Sequence, residues 1–169
     1  TDHSKELLAD FCPRNHAQSK DNLAIQGWGL FLDVELVGVI SLGRHHRNRD
    51  GIILDRLCFK TGVQIVGGAN KLFARCLEWA KSRNYDSIAS FSDNRYSRGD
   101  IYPKLGFKLD LDMPADYFYV LKKNPLKYFS KQSQRKQASK CPPHLSEYQW
   151  ADQRGLLRVW DAGKKRWVF

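Results

Sequence analysis

No apolar run in the sequence approaches the roughly 18–20 residues that a membrane-crossing helix needs. The opening Thr1-Asp2-His3-Ser4-Lys5-Glu6 has neither the basic nor the apolar stretch of a secretory leader. No membrane partner is expected, and a cytoplasmic location is. Cysteine is scarce as well: Cys12, Cys58, Cys76 and Cys141 are too few and too scattered for a disulfide framework. Cys58 and Cys76 fall inside apolar patterns, where a free thiol behaves as a small hydrophobe, and this usage suits a reducing compartment. The chain also lacks internal repeats, a P-loop, a Ser/His/Asp signature and the carboxylate-plus-lysine cluster of a nuclease.

Acidic residues are missing from one part of the chain only. Thr1–Val120 carries 16 Lys and Arg against 15 Asp and Glu, whereas Leu121–Phe169 carries 12 against 3. The last third therefore holds almost all of the formal charge of +10. A localised basic segment is the usual footprint of phosphate-backbone binding, because each phosphate neutralised releases condensed counterions. The alternative is a basic surface that is merely solvated. Lys127, Lys131, Arg135, Lys136 and Lys140 are accordingly candidate DNA contacts, flanked by the aromatic residues Tyr128, Phe129, Trp150 and Trp160. With 42% apolar and 12% aromatic residues the chain can bury a core, which argues against disorder. The expected organisation is a core over residues 1–121 and a basic nucleic-acid-binding extension over 122–169. The chain begins at Thr1 rather than Met, which leaves room for a preceding domain.

Hydrophobic spacing supplies the elements. Ser4–Ala17 reads as a short helix stopped near Cys12-Pro13, since proline disfavours helix in the residue before it. Trp28–Leu32 and Leu36–Leu42 form a hairpin around Asp33-Val34-Glu35, His45–Gly51 a polar loop, and Ile52–Phe59 a third strand. Ala69, Leu72, Phe73, Cys76, Leu77 and Ala80 recur at the spacing of one helical face, which predicts a helix ending near Asn84. Ser87–Ser92 follows as a strand, so a parallel crossover unit is implied. Asp100–Leu105 gives a short helix and Tyr117–Leu121 another strand, while Lys127–Lys140 shows no periodicity. Leu157–Phe169 reads as a β-hairpin turning at Ala162-Gly163.

Three places are chemically suggestive. Val66-Gly67-Gly68-Ala69 lies between a strand and the best helix, where backbone amides point at whatever sits there and glycine permits close approach, as a pyrophosphate cradle requires. Glycines that only allow tight helix packing are the other reading. Asp93, Arg95 and Ser97 cluster where a strand ends, the place at which open α/β sheets bind ligands. Asp55 and Arg56 occupy adjacent strand positions, so alternation points them to opposite faces, with an ion pair as the structural alternative. Tyr117 and Tyr119 share one strand face and either stack on a base or pack. Cys12/His16 and Cys141/His144 have metal-ligand spacing, but the pairs lie far apart in sequence. No metal is expected to be required, and His45-His46 in an Arg-rich loop resembles a metal-nuclease fragment only superficially.

The set Gly67-Gly68-Ala69 before a helix, a strand ending Ser92-Asp93, and Tyr102-Pro103-Lys104-Leu105-Gly106-Phe107 resembles the cofactor half of the GNAT (N-acetyltransferase) superfamily, with Gln64-Ile65-Val66 departing from its usual signature. The segments FCPRNHAQ, LDRLCF, VGGANKLF, SFSDNRYSRGDIYPKLGF, PADYFYV and RVWDAGKKRWVF are similar to a phage domain related to the Mom DNA-modification protein. That domain is also found as the C-terminal part of phage homing endonucleases. The likeness runs from Phe11 to the C-terminus. It implies an α/β fold, a GNAT-like mixed twisted sheet flanked by helices, with the basic extension ending in a β-hairpin. It implies acetyl-CoA or a related acyl-CoA as cofactor at Val66–Ala69, DNA as partner, a fused or associated nuclease domain, and a host-cell cytoplasmic setting. His16, in the matching Asn-His-Ala-Gln element, is then a general base, since imidazole titrates near neutrality. Asp55 and Asp93 join the reacting centre, with Tyr102 as general acid. Three functions follow in order: a transferase acting on a DNA base held out of the stack, a non-catalytic DNA-positioning domain of a homing endonuclease, and a protein or small-molecule N-acetyltransferase.

Overall fold

A computed structural model describes residues 4–16, 24–45, 48 and 50–169. The expected hairpin is β1 (Ala24–Leu32) and β2 (Glu35–Arg44), joined through a turn in which Asp33 takes a left-handed φ of 53°. β2 is apolar almost throughout rather than alternating, because both its faces are covered. Val39 packs with Leu8, Phe11 and Cys12 of α1 (Ser4–Asn15), while Ile40 and Leu42 pack with Leu72, Phe73 and Cys76 of α2 (Gly68–Ser82). α1 runs through Pro13 to Asn15 instead of stopping before it. Burial of Leu8, Phe11 and Cys12 on one face outweighs the local cost of proline.

β3 (Gly51–Phe59) pairs antiparallel with β2, and α2 carries the chain over to β4 (Ser87–Asp93), which lies parallel to β3 as the crossover requires. α2 buries Leu72, Phe73, Cys76 and Ala80, the face that the spacing predicted. One turn, α3 (Ile101–Lys104), leads to β5 (Lys108–Met113), whose strict polar/apolar alternation the sequence reading passed over and whose residues are nearly all exposed.

The rest of the chain departs from expectation. β6 (Tyr117–Leu121), β7 (Asn124–Phe129) and β8 (Leu156–Trp160) form a second sheet in the order β7-β6-β8. α4 (Glu147–Gln153) backs it, started by a reciprocal cap between Ser146 and Gln149, with Tyr119, Ala151 and Leu156 as its small core. The final strand, β9 (Lys164–Val168), turns away from β8 and enters the first sheet, whose order is β1-β2-β3-β4-β9-β5. The expected terminal β-hairpin is thus not a hairpin: β8 pairs with β6, and β9 with β4 and β5. Residues 122–169 are likewise not an appendage to a core ending at 121. They supply an interior strand, and Trp167 is 6% exposed within the main core. The hydrogen-bonding demand of β4 and β5, which have no other neighbours on those edges, decides this, and it leaves no mark on hydrophobic period.

Candidate active site

β3 and β4 pair over only Gly51–Ile53 and Ser87–Ala89; beyond them β3 stays with β2 and β4 with β9. A bulge accompanies the divergence. Leu42 faces Leu54 and Ser41 faces Arg56, which makes Asp55 the extra residue. Ser90 ties the apex, its Oγ 2.9 Å from both the Leu54 carbonyl oxygen and the Tyr102 hydroxyl. The wedge opens into a cleft of about 380 Å³ at the C-terminal ends of both strands.

His16, Asp55, Asp93 and Tyr102, the four catalytic candidates, all line this cleft. His16 arrives on the end of α1, where Asn15 Oδ1 accepts from the Thr61 amide at 2.9 Å and fastens the helix to the segment after β3. Asp55 and Arg56 do not point apart as strict alternation predicts. The bulge breaks the period, and Arg56 Nη1 donates to Asp55 Oδ1 at 3.1 Å and to its carbonyl at 2.7 Å. Asp93 is 7% exposed and accepts from the Arg95 amide at 3.0 Å and from the guanidinium Nε and Nη2 at 3.0 and 2.6 Å. Burial pushes its carboxyl up, but the Arg95 hydrogen bonds and the charges of Arg95 and Lys164 outweigh it and hold it below the usual range. Asp93 is therefore an ionised anchor that fixes Arg95, not a poised base. Burial raises the Tyr102 hydroxyl, which donates to the Phe91 carbonyl at 3.2 Å. Its ring stacks on Trp167, 5.3 Å between centroids, and Trp167 Nε1 donates to Ser92 Oγ at 2.9 Å. Ser90 and Trp167, which do not line the cleft but hold Tyr102 and Ser92 in place, are supports that the sequence reading missed.

The Val66–Ala69 turn does not line the cleft but follows β3 beyond it. Gly67 holds φ 74° as the N-cap of α2, and a Cβ there would meet nothing within 4 Å. At Gly68 a Cβ would come within 3.0 Å of Phe59 and Ile65 and 3.2 Å of Leu30, so Gly68 serves packing. The two readings of the glycines divide between them. No side chain caps α2 and no acidic residue stands in its first turn; the Gly68 amide is spent on the Ile65 carbonyl at 3.2 Å and the Lys71 amide on Gly67 at 3.0 Å, which leaves the amides of Ala69 and Asn70 in the positive helix-end field.

No family model matches the chain, and no curated protein matches it. Among solved structures, the ribosomal-protein-S18-alanine N-acetyltransferase of Escherichia coli is similar over 98% of this chain and 87% of its own, at 10% identity and TM-score 0.54. A Bacillus subtilis acetyltransferase in complex with CoA matches over 99% and 84%, at 15% identity and TM-score 0.50. The PaiA N-acetyltransferase of Thermoplasma acidophilum, in complex with coenzyme A, is 26% identical over 53% of this chain at TM-score 0.45, and the chain spans 55% of its length.

The fold is that of the GNAT acetyltransferases.

Within this GNAT fold the candidate nucleic-acid residues fall into two groups. Arg95 and Ser97 belong to the cleft loop, where Ser97 Oγ accepts from the Gly99 amide at 3.0 Å and Arg95 lies 5.8 Å from the Phe118 ring of β6. Tyr117, Lys127, Lys131, Arg135, Lys136 and Lys140 belong to the second sheet and the loop after it. Lys131 pairs with Asp116 at 2.7 Å and holds that carboxyl below its usual range, while Arg135, Lys136 and Lys140 are exposed. Tyr119, on the same strand face as Tyr117, is 2% exposed and packs. Among the described residues no group of three or more His, Cys, Asp or Glu side chains is arranged to hold a metal. Cys12 lies in the α1 core with Cys58, while Cys141 lies within 3.5 Å of the Leu145 carbonyl oxygen beside the second sheet. Ala17-Gln18 and His46 lie outside the described residues.

Proposed function

We propose that the protein is an acyl-CoA-dependent N-acyltransferase whose acceptor is a base in nucleic acid. The observation that carries it is the wedge between β3 and β4, in which His16, Asp55, Asp93 and Tyr102 converge, followed in the chain by the uncapped N-terminus of α2. The cofactor fits that second feature: the amides of Ala69 and Asn70 and the Lys71 side chain suit a pyrophosphate, and Gly67 leaves the approach clear. When bound it supplies an activated acyl thioester. His16 would take a proton from an acceptor amine, and the Tyr102 hydroxyl, kept protonated by burial, would hold a proton for the leaving group. Asp93 fixes Arg95 at the mouth, next to Tyr96 and Phe118, where a planar acceptor enters.

The nucleic-acid acceptor is supported by the basic last third of the chain, and by the resemblance of its segments from Phe11 onward to phage DNA-modifying domains. The likeness to an enzyme that acylates an alanine of a ribosomal protein supports a peptide amine as the competing acceptor. Thermal denaturation with acetyl-CoA and CoA at millimolar concentration tests the cofactor: a rise in Tm is expected, following RT ln(1 + [L]/Kd). No rise with either, or with other acyl-CoAs, overturns the transferase and favours a DNA-positioning module of a homing endonuclease. Mass spectrometry of nucleosides and peptides after incubation with acyl-CoA then decides the acceptor, an acylated nucleoside being the expected product.

A further inference from the structure

The arginines of the cleft and of the last strand are spent on carboxylates, Arg95 on Asp93 and Arg166 on Asp110. Arg158, in β8, is not. Among the described residues it forms no ion pair, and its guanidinium carbon lies 4.5 Å from the Tyr148 ring centroid, 4.8 Å from Tyr117 and 5.9 Å from Trp160. The register places these rings around it: β6 and β8 pair Tyr119 with Arg158 and Tyr117 with Trp160, and Tyr148 comes from α4. These ring contacts hold the guanidinium without using its N–H groups, which keeps the fork ready for an anion. Two of the rings are open to solvent, Tyr148 at 50% and Trp160 at 58% exposure.

The surroundings are one-signed. Of the twelve Lys and Arg in residues 121–169, only Lys122, Lys131, Lys164 and Arg166 form ion pairs among the described residues. Arg154 donates instead to Gln134 Oε1 at 2.7 Å, and Lys123, Lys127, Arg135, Lys136, Lys140, Arg158 and Lys165 have no carboxylate partner among the described residues. Exposed rings beside an unspent guanidinium suit a strand whose bases are free to stack, whereas a duplex hides its base faces. The surface also continues toward the cleft: the residues after Trp160 hold its loop, with the Asn94 amide donating to Gly163 and its side chain to Ala162, both at 3.1 Å.

We propose that Arg158, with Tyr148 and Trp160, is a binding site for single-stranded nucleic acid, the guanidinium taking a phosphate and the open rings stacking on unpaired bases. It rests on the nucleic-acid half of the reading above, but not on the acyl-CoA half. The test is fluorescence anisotropy with a labelled oligothymidine, alone and annealed to its complement, together with quenching of tryptophan emission. Single strands are expected to bind more tightly than the duplex and to quench Trp160. Trp160→Ala should weaken binding about tenfold. Arg158→Gln should weaken it about as much and lower the salt slope by about 0.7. Arg158→Lys, which keeps the charge but not the fork, should recover less than half of the loss on a logarithmic scale. Tyr148→Ala, at an exposed helix position, guards against a misfolded sheet variant, and circular dichroism reports folding of all four. Equal affinity for duplex, or wild-type affinity in Trp160→Ala and Arg158→Gln, overturns the site. An unchanged Tm response to acyl-CoA in these variants separates the two halves. A wild type that responds to acyl-CoA but binds no oligonucleotide tells against the single-strand site alone, and a wild type that binds oligonucleotide without responding to acyl-CoA tells against the transferase alone.

Discussion

The cleft of the six-stranded sheet and the aromatic surface of the three-stranded sheet use the same residue types in opposite ways. Around the cleft, Arg95 is locked bidentate on Asp93, Ser90 on Leu54 and Tyr102, and Trp167 on Ser92, so polar groups are consumed in holding a shape. On the second sheet Arg158 is held by rings alone and Trp160 lies open. Polar atoms that satisfy one another build a rigid pocket; cations supported by apolar faces keep their valence for a ligand.

The sharpest break of this comparison comes from the strand that joins the halves. Trp167→Ala removes a buried ring from the main core and should cost about 3–5 kcal/mol, read by denaturant unfolding, with deletion of residues 162–169 preventing folding altogether. If the deletion variant folds, the two halves are separable after all. Tyr102→Phe should leave the fold near wild type yet slow acyl transfer by about a hundredfold. Rapid CoA-thiol release from this variant would remove Tyr102 from the chemistry.

Asp93→Asn should cost about 2 kcal/mol at neutral pH, between an exposed and a fully buried ion pair, because Arg95 is part-exposed. The sign of its pH dependence is fixed. A carboxylate depressed in the folded state contributes stability above its unfolded value of about 4, and loses it as pH falls through the lower folded value. Acid titration of Tm should therefore be flatter below about pH 4 in Asp93→Asn than in the wild type. The smallest effect on stability is expected at Asn70→Glu, where a carboxylate in the open first turn of α2 should raise stability by about 0.5 kcal/mol. The same charge should repel a pyrophosphate and weaken the acyl-CoA response, and an undiminished response would place the cofactor elsewhere.

Much of the first half of the chain was legible in residue order. The hairpin around Asp33, the α2 face from Leu72 to Ala80 and the parallel return to β4 follow from local periods of two and 3.6, which burial on one or both faces imposes directly. The strand end at Asp93 was marked because the end of such a strand is where an open sheet receives ligands, whereas Tyr102 was marked only through the resemblance to the GNAT superfamily. Asp55 defeated the period because a bulge inserts a residue that alternation cannot count.

Residue order by itself determined the basic last third, the absence of a long apolar run and the amphipathic helix behind the glycine turn. The tertiary structure alone decided that this last third is not a tail. β9 enters the first sheet because the edges of β4 and β5 need a partner, and such a demand for hydrogen bonds depends on which strands meet, not on what any one of them contains. It likewise decided that Arg158 lies among three rings from β6, β8 and α4, contacts between residues up to about forty positions apart, for which no sequence spacing is a signal.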